Sequence, residues 1–227
     1  MLVSHRHRFI YTKTAKTAGT SVESYFEPYC MAEGEWTSSG PREEYVSSAG
    51  IVGFRGGAIP KGCKWWNHMP AAQIKKQLGD EIWSSYLKFC VVRNPYDKAI
   101  SEFYFLRKQG VLKADDRKSE AAQFEHWLAS NGPAVDRDKY LIDGELCVDV
   151  VVKYEFLHRD LEQLCTRLGI PWNPELLPTF KKGIRPAEAS VLSLYTEKAK
   201  EIVGEVYAFE LKQFDYGFPA EEQVSAG

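Results

Sequence analysis

The residues that most restrict the fold are Leu87 to Val92, an almost wholly apolar run (LKFCVV) that passes at once into Arg93-Asn94-Pro95. A strand without polar alternation is one covered on both faces, as in a parallel sheet, and parallel strands need crossover connections, usually helices. Asn94 can cap such a helix, Pro95 fits its first position, and Asp97 suits the positive end of its dipole. The same succession occurs twice more. HRFIYTK, with the β-branched and aromatic bias of a strand, leads to a helix over TSVESYFEPY that is opened by a hydroxyl cap and stops near Pro28. CVDVVVKYEFL leads to LHRDLEQLCTRLG, where Leu157, Leu161, Leu164, Cys165 and Leu168 recur at helical spacing before Gly169. Strands alternating with helices predict an α/β fold whose parallel sheet is flanked by helices.

Elsewhere the signals are weaker. Residues 31–62 are rich in Gly, Ser and Pro and read as long loops over an active face. CKWWNHM is expected to form a short strand, PAAQIKKQLG a helix with Pro70 in its first turn, AAQFEHWLAS another, and SVLSLYTEKAKEIVGEVYAFELKQF a terminal helix. At 227 residues the chain is expected to be a single domain over 1–227. With 29 Lys and Arg against 31 Asp and Glu, its net charge of −2 argues against a nucleic-acid partner bound by a global positive field. Any anion must be held locally. Five cysteines without a C-x-x-C pair suggest reduced thiols, and neither a zinc site nor a disulfide framework. There is no apolar run of about 18 residues, so a soluble, cytoplasmic protein without a membrane span is expected.

Between the first strand and its helix lies TKTAKTAGTS, residues 12–21. A helix start presents unpaired N–H donors and positive dipole charge, which suits phosphate or sulfate. Gly19 permits close approach, Thr20 and Ser21 add hydroxyls, and Lys16 adds a mobile charge. It is not a Walker A loop, because Ile10 stands six residues before Lys16 and Gly19 follows the lysine. Alone, the stretch reads equally as a cap turn with solvated lysines. Arg93, at the carboxyl end of a buried strand, stands where ligands collect in open α/β sheets, and Ser101 follows on the next helix. A structural arginine and serine are the competing reading.

Taken together, AKTAGTS and VVRNPYDKAIS resemble two motifs of the sulfotransferases that use 3′-phosphoadenosine 5′-phosphosulfate (PAPS), particularly the carbohydrate O-sulfotransferase-like branch. In that family a P-K-T-[AG]-G-T-[ST] turn holds the 5′-phosphosulfate, and V-R-[ND]-P-x-x-[KR]-x-x-S holds the 3′-phosphate. Ala15 stands where proline is usual. The resemblance implies a three-layer α/β/α, P-loop-like fold with a mostly parallel sheet, and sulfuryl transfer from PAPS, leaving PAP, to a hydroxyl or less readily an amine of a small molecule or glycan precursor. No metal is expected. Lys16 would stabilise the leaving oxygen, and Thr17, Ala18, Gly19, Thr20 and Ser21 would cradle the 5′ end, with Arg93 and Ser101 on the 3′-phosphate.

His68 in NHMPA matches a histidine that serves as base in related enzymes; the alternative is a loop histidine bonded to backbone. FKKGIRP places Lys181, Lys182 and Arg185 either over the donor, with Lys182 and Arg185 as contacts, or in a solvated basic loop. Residues 31–62, with Trp36, Tyr45, Phe54 and Arg55, are the expected acceptor side. Two rivals remain at this stage: a nucleotide-dependent kinase, which needs magnesium and an acidic ligand at a strand end, and a non-catalytic nucleotide-binding module.

Overall fold

The computed structural model describes residues 1–37, 40–130, 132–180, 184–186 and 189–219. The chain divides into two compact units, one of residues 1–92 and 136–180, the other of residues 93–135 and 181–227.

The first unit is built on strands β1 (Leu2–Ser4), β2 (Phe9–Tyr11), β3 (Tyr45–Val46), β4 (Gly50–Val52) and β5 (Leu87–Val92), a separate hairpin of β6 (Leu141–Ile142) and β7 (Glu145–Leu146), and β8 (Val150–Lys153). The main sheet has the order β3-β4-β1-β2-β5-β8. β5 pairs in parallel with β2 and β8, whereas β1 is antiparallel to β2 and β4, and β3 to β4. Four strands (β4, β2, β5, β8) therefore run one way and β1 and β3 the other, which makes the sheet mostly parallel.

Alternation along the strands explains the layers. Phe9, Tyr11, Phe89, Val91 and Val152 pack with Val22 and Phe26 of α1 (Gly19–Phe26). α2 (Ala71–Leu78) and α3 (Asp80–Ser85) instead bury Ala71, Ile74 and Trp83 with Val3, Ile10 and Ile51 of the strands. Helices thus cover both faces. Phe89 anchors the first core, with ring centroids 4.8 Å from Tyr11, 5.3 Å from Phe26 and 5.8 Å from Phe9, and truncation of such a ring costs about 3–5 kcal/mol. The polar member of the run, Lys88, leads its ammonium out to the carbonyls of Trp83 (3.1 Å) and Tyr86 (2.8 Å) and to Asp149 (2.8 Å).

The second unit is helical. α4 (Pro95–Lys108) and α5 (Glu120–Ser130) belong to it, whereas α6 (Leu157–Leu168) closes the first unit by packing Leu161, Leu164 and Leu168 beside α1. α7 (Val191–Leu194), α8 (Glu197–Val206) and α9 (Ala208–Gln213) join α4 and α5 around Ile100, Phe103, Phe124, Trp127, Leu194, Val203 and Tyr207.

Most boundaries match expectation. Asn94 caps α4 by accepting from Tyr96 N at 3.1 Å with Pro95 at the first position, and Gly169 ends α6 at φ 63°. Four details differ. The single terminal helix is three, because Thr196 accepts from Ala199 N (3.1 Å) and opens a new helix, and Tyr207 leaves helical geometry at ψ 23°. α1 has no hydroxyl cap: its cap residue is Ala18. CKWWNHM forms no strand, and Trp66 makes a single bridge to Phe54. Residues 31–62 carry the short strands β3 and β4. No helix among the described residues is long and apolar enough to cross a membrane.

Candidate functional site

The turn after β2 is drawn onto the sheet by its threonines. Thr12 N donates to Phe89 O at 3.0 Å, and the Thr14 hydroxyl donates to the carbonyl of Val91. With that proton committed, the 2.8 Å contact between Thr14 and Thr17 hydroxyls has Thr17 as donor. Thr17 therefore faces inward, 1 % exposed, and it is its backbone that faces the turn. Lys16 and Ala18 then adopt the left-handed conformation, at φ 61° and 56°. For residues with a Cβ each costs about 1–3 kcal/mol, a strain that clusters at functional sites.

α1 begins immediately, and Ala18 has no side chain with which to cap it, so the N–H groups of Gly19, Thr20 and Ser21 are presented at the positive end of the helix. Gly19 is required by its neighbour: a Cβ there would lie 2.9 Å from Lys13 Cε and 3.1 Å from Thr14 O. Lys13 runs across this gap to Thr20 Oγ1 (3.4 Å) and Glu23 (2.7 Å). The Ser21 hydroxyl accepts from Phe180 N at 3.5 Å.

Behind the turn lies a buried ion network that the sequence reading did not identify. Glu23, fully buried, receives Lys13, Arg55 at 2.8 Å and the amino terminus at 3.2 Å; Glu27 receives Arg55 and Arg42, both at 2.7 Å. Burial would push the Glu23 carboxyl up, but the surrounding cations outweigh it and hold it well below its ordinary value. Arg55, expected beside an acceptor, is 7 % exposed and committed to this network. Phe54 is also buried, and the Tyr45 hydroxyl donates to Glu35 at 2.6 Å, whereas Trp36 stays 36 % exposed.

The turn also meets His68. Its Nδ1 lies 3.2 Å from the carbonyl oxygen of Lys13; a carbonyl accepts, so Nδ1 carries the proton and Nε2 holds the lone pair. His68 is itself left-handed, at φ 55°. Burial first, and the Lys13 charge second, lower its pKa to about 4, leaving the ring neutral at pH 7. The bond to the Lys13 carbonyl is the loop histidine bonded to backbone that the sequence offered as one reading, and it leaves the Nε2 lone pair outside that bond.

In the second unit, Arg93 and Arg185 meet on Asp97. Arg93 approaches Asp97 Oδ2 through Nε at 2.7 Å and Nη2 at 2.6 Å, and Arg185 Nη1 donates to the other oxygen, Oδ1. Burial opposes ionisation of Asp97, but the two guanidiniums prevail and its pKa falls. Arg93 and Arg185, each expected on the 3′-phosphate, share one carboxylate in this unit; that carboxylate went unforeseen, having been assigned to the helix dipole alone. Ser101 is half-buried on α4. Lys98 is 5 % exposed, with its ammonium 5.5 Å from the Tyr207 ring. Lys182, with Lys181, lies outside the described residues. Among the described residues no group of three or more His, Cys, Asp or Glu could hold a metal ion.

Comparison with known proteins adds to this geometry. A model of the sulfotransferase family matches residues 1–217. An uncharacterised protein of Archaeoglobus fulgidus is 27% identical over 108 residues, which span 45% of this chain and 84% of that one. No solved structure matches the chain.

Proposed function

The chain belongs to the sulfotransferase family, and from that premise we propose that it transfers a sulfuryl group from PAPS to a hydroxyl of a small molecule or glycan precursor, in preference to an amine. The observation that carries this reading is the turn itself: two strained residues open an uncapped helix start beside a histidine whose Nε2 holds a lone pair. We assign the 5′-phosphosulfate to the backbone N–H groups of Thr17 to Ser21 with the hydroxyls of Thr20 and Ser21, and the 3′-phosphate to Arg93 and Arg185 with Ser101 and Lys182. We take residues 1–227 as one sulfotransferase domain. The free thiols suit a reducing compartment, and we place the reaction in the cytoplasm.

Sulfuryl transfer between two oxygens is catalysed by positioning, by neutralising charge on the leaving oxygen and by taking the acceptor proton. Lys16 supplies the cation at the leaving oxygen. His68 Nε2 takes the acceptor proton as the new S–O bond forms, and the S–O bond to the 5′-phosphate breaks as PAP departs. Residues 31–62 form the acceptor side, with Trp36 as its exposed ring.

Incubation with radiolabelled PAPS and a panel of hydroxyl acceptors should yield sulfated product, and calorimetry should show PAP binding without magnesium. Absence of any affinity for PAPS or PAP, or magnesium-dependent ATP binding in its place, would sink the proposal.

A further inference from the structure

The strained turn has to be held by its surroundings, and its fastenings can be named. β5 holds Thr14, Thr17 holds Thr14 from within, and His68 engages the Lys13 carbonyl. A further fastening comes from 121 residues away: the Ala15 N–H donates to Asp136 Oδ2 at 2.5 Å. Asp136 is 8 % exposed and stands just ahead of the short 3-10 segment Arg137–Lys139. Its charge contributes, behind burial itself, to raising the Tyr11 hydroxyl and the Cys90 thiol, so the carboxylate lies near the ends of β2 and β5. A charged acceptor on a half-buried peptide is the strong kind of hydrogen bond, and this peptide directly precedes Lys16.

We propose that Asp136 is a positioning residue of the donor turn, which by holding the Ala15 N–H sets the backbone from which Lys16 projects. This rests on the reading of the turn as the donor site. Asp136 touches no reacting atom; it acts through Lys16.

Three variants separate the bond from general stability. Asp136→Ala removes the acceptor, Asp136→Asn keeps an oxygen of the same reach, and Ala15→Pro removes the donor hydrogen. Asp136→Ala should lower kcat about 10- to 100-fold with the acceptor KM unchanged, and Asp136→Asn should recover most of the loss. In an Ala15→Pro background Asp136→Ala should add no more than about twofold, because the bond is already gone. Losses that multiply, or an acceptor KM and a melting temperature that move together with kcat, would overturn the assignment. An amide-resolved NMR spectrum checks it without the proline: Asp136→Ala should shift the Ala15 amide and speed its exchange, and an unchanged Ala15 signal would also overturn it. Wild-type affinity for PAP, measured alongside, keeps the two ideas apart. A wild type that does not bind PAP refutes the donor site, whereas one that binds it, with Asp136→Ala as active as wild type, refutes Asp136 alone.

Discussion

Replacing Glu23 by glutamine preserves its shape and removes the charge at the centre of the buried network. Lys13 at 2.7 Å, Arg55 at 2.8 Å and the amino terminus at 3.2 Å would then surround a neutral amide. Removing one partner of a buried pair costs about 3–5 kcal/mol, because the remaining charge is left uncompensated. For a chain of this size about 2–4 °C is lost per kcal/mol, so the melting temperature should fall by about 6–20 °C at pH 7. Deprotonation of the amino terminus, whose pKa burial already lowers, relieves part of the strain and favours the lower half of that range.

The pH dependence has a definite sign. Glu23 has its pKa depressed below the ordinary 4.5 in the folded protein, so its contribution is complete above that value and disappears as pH falls through the folded one. The gap between wild type and Glu23→Gln should be open at about pH 6 and narrow below about pH 4.5. Glu197→Gln is the control: its side chain is 90% exposed and pairs with Lys200 at the surface, where loss of a pair changes little. Thermal melts followed by circular dichroism decide the matter. A fall of less than about 2 °C, or a gap that persists unchanged at acid pH, would refute the account of the network.

Lys16→Ala should lower kcat by about 10²- to 10³-fold, read by single-turnover transfer from labelled PAPS; a wild-type rate would remove Lys16 from the mechanism. Arg93→Ala should weaken PAP binding by calorimetry by about 10-fold or more, and unchanged affinity would separate the Asp97 cluster from the donor. His68→Ala should lose about 10²- to 10⁴-fold in rate with PAP binding retained. NMR titration of the His68 ring should give a pKa of about 4 in the free protein and a higher one with PAP bound. An unshifted value at saturation would mean that the anion is held elsewhere.

Much of the frame was legible because local and tertiary demands coincide. The run Leu87–Val92 is apolar since β5 lies between β2 and β8 with helices over both faces, and Asn94-Pro95 opens α4 by chemistry confined to those residues. β1 escaped notice because a three-residue strand such as Leu2–Ser4 carries no period. The hairpin β6–β7 was legible in principle: Asp143-Gly144 separates its strands, and both residues adopt positive φ. The residues behind the turn were not. Glu23 looks like an ordinary polar position on a helix, and Asp136 is one aspartate 121 residues from its partner; burial and partnership at that distance exist only once the sheet has formed.

The two lysines of the turn show why the distinction matters chemically. Lys13 and Lys16 are three residues apart and alike in composition, yet Lys13 is 2 % exposed and bound to Glu23, whereas Lys16 is half-buried in a strained conformation. Gly19 helps to separate them, since the missing Cβ is the space through which Lys13 passes. From there Lys13 acts on His68 twice: its carbonyl fixes the proton on Nδ1, and its ammonium helps to keep Nε2 unprotonated. As the proposed base, an imidazole with a pKa of about 4 would be unprotonated at neutral pH but would pull weakly on a hydroxyl proton. Negative charge arriving at the start of α1 would offset Lys13 and raise that pKa, strengthening the base when the donor is in place. A cation behind the histidine and an anion in front of it would thus tie proton abstraction to donor occupancy with no moving part.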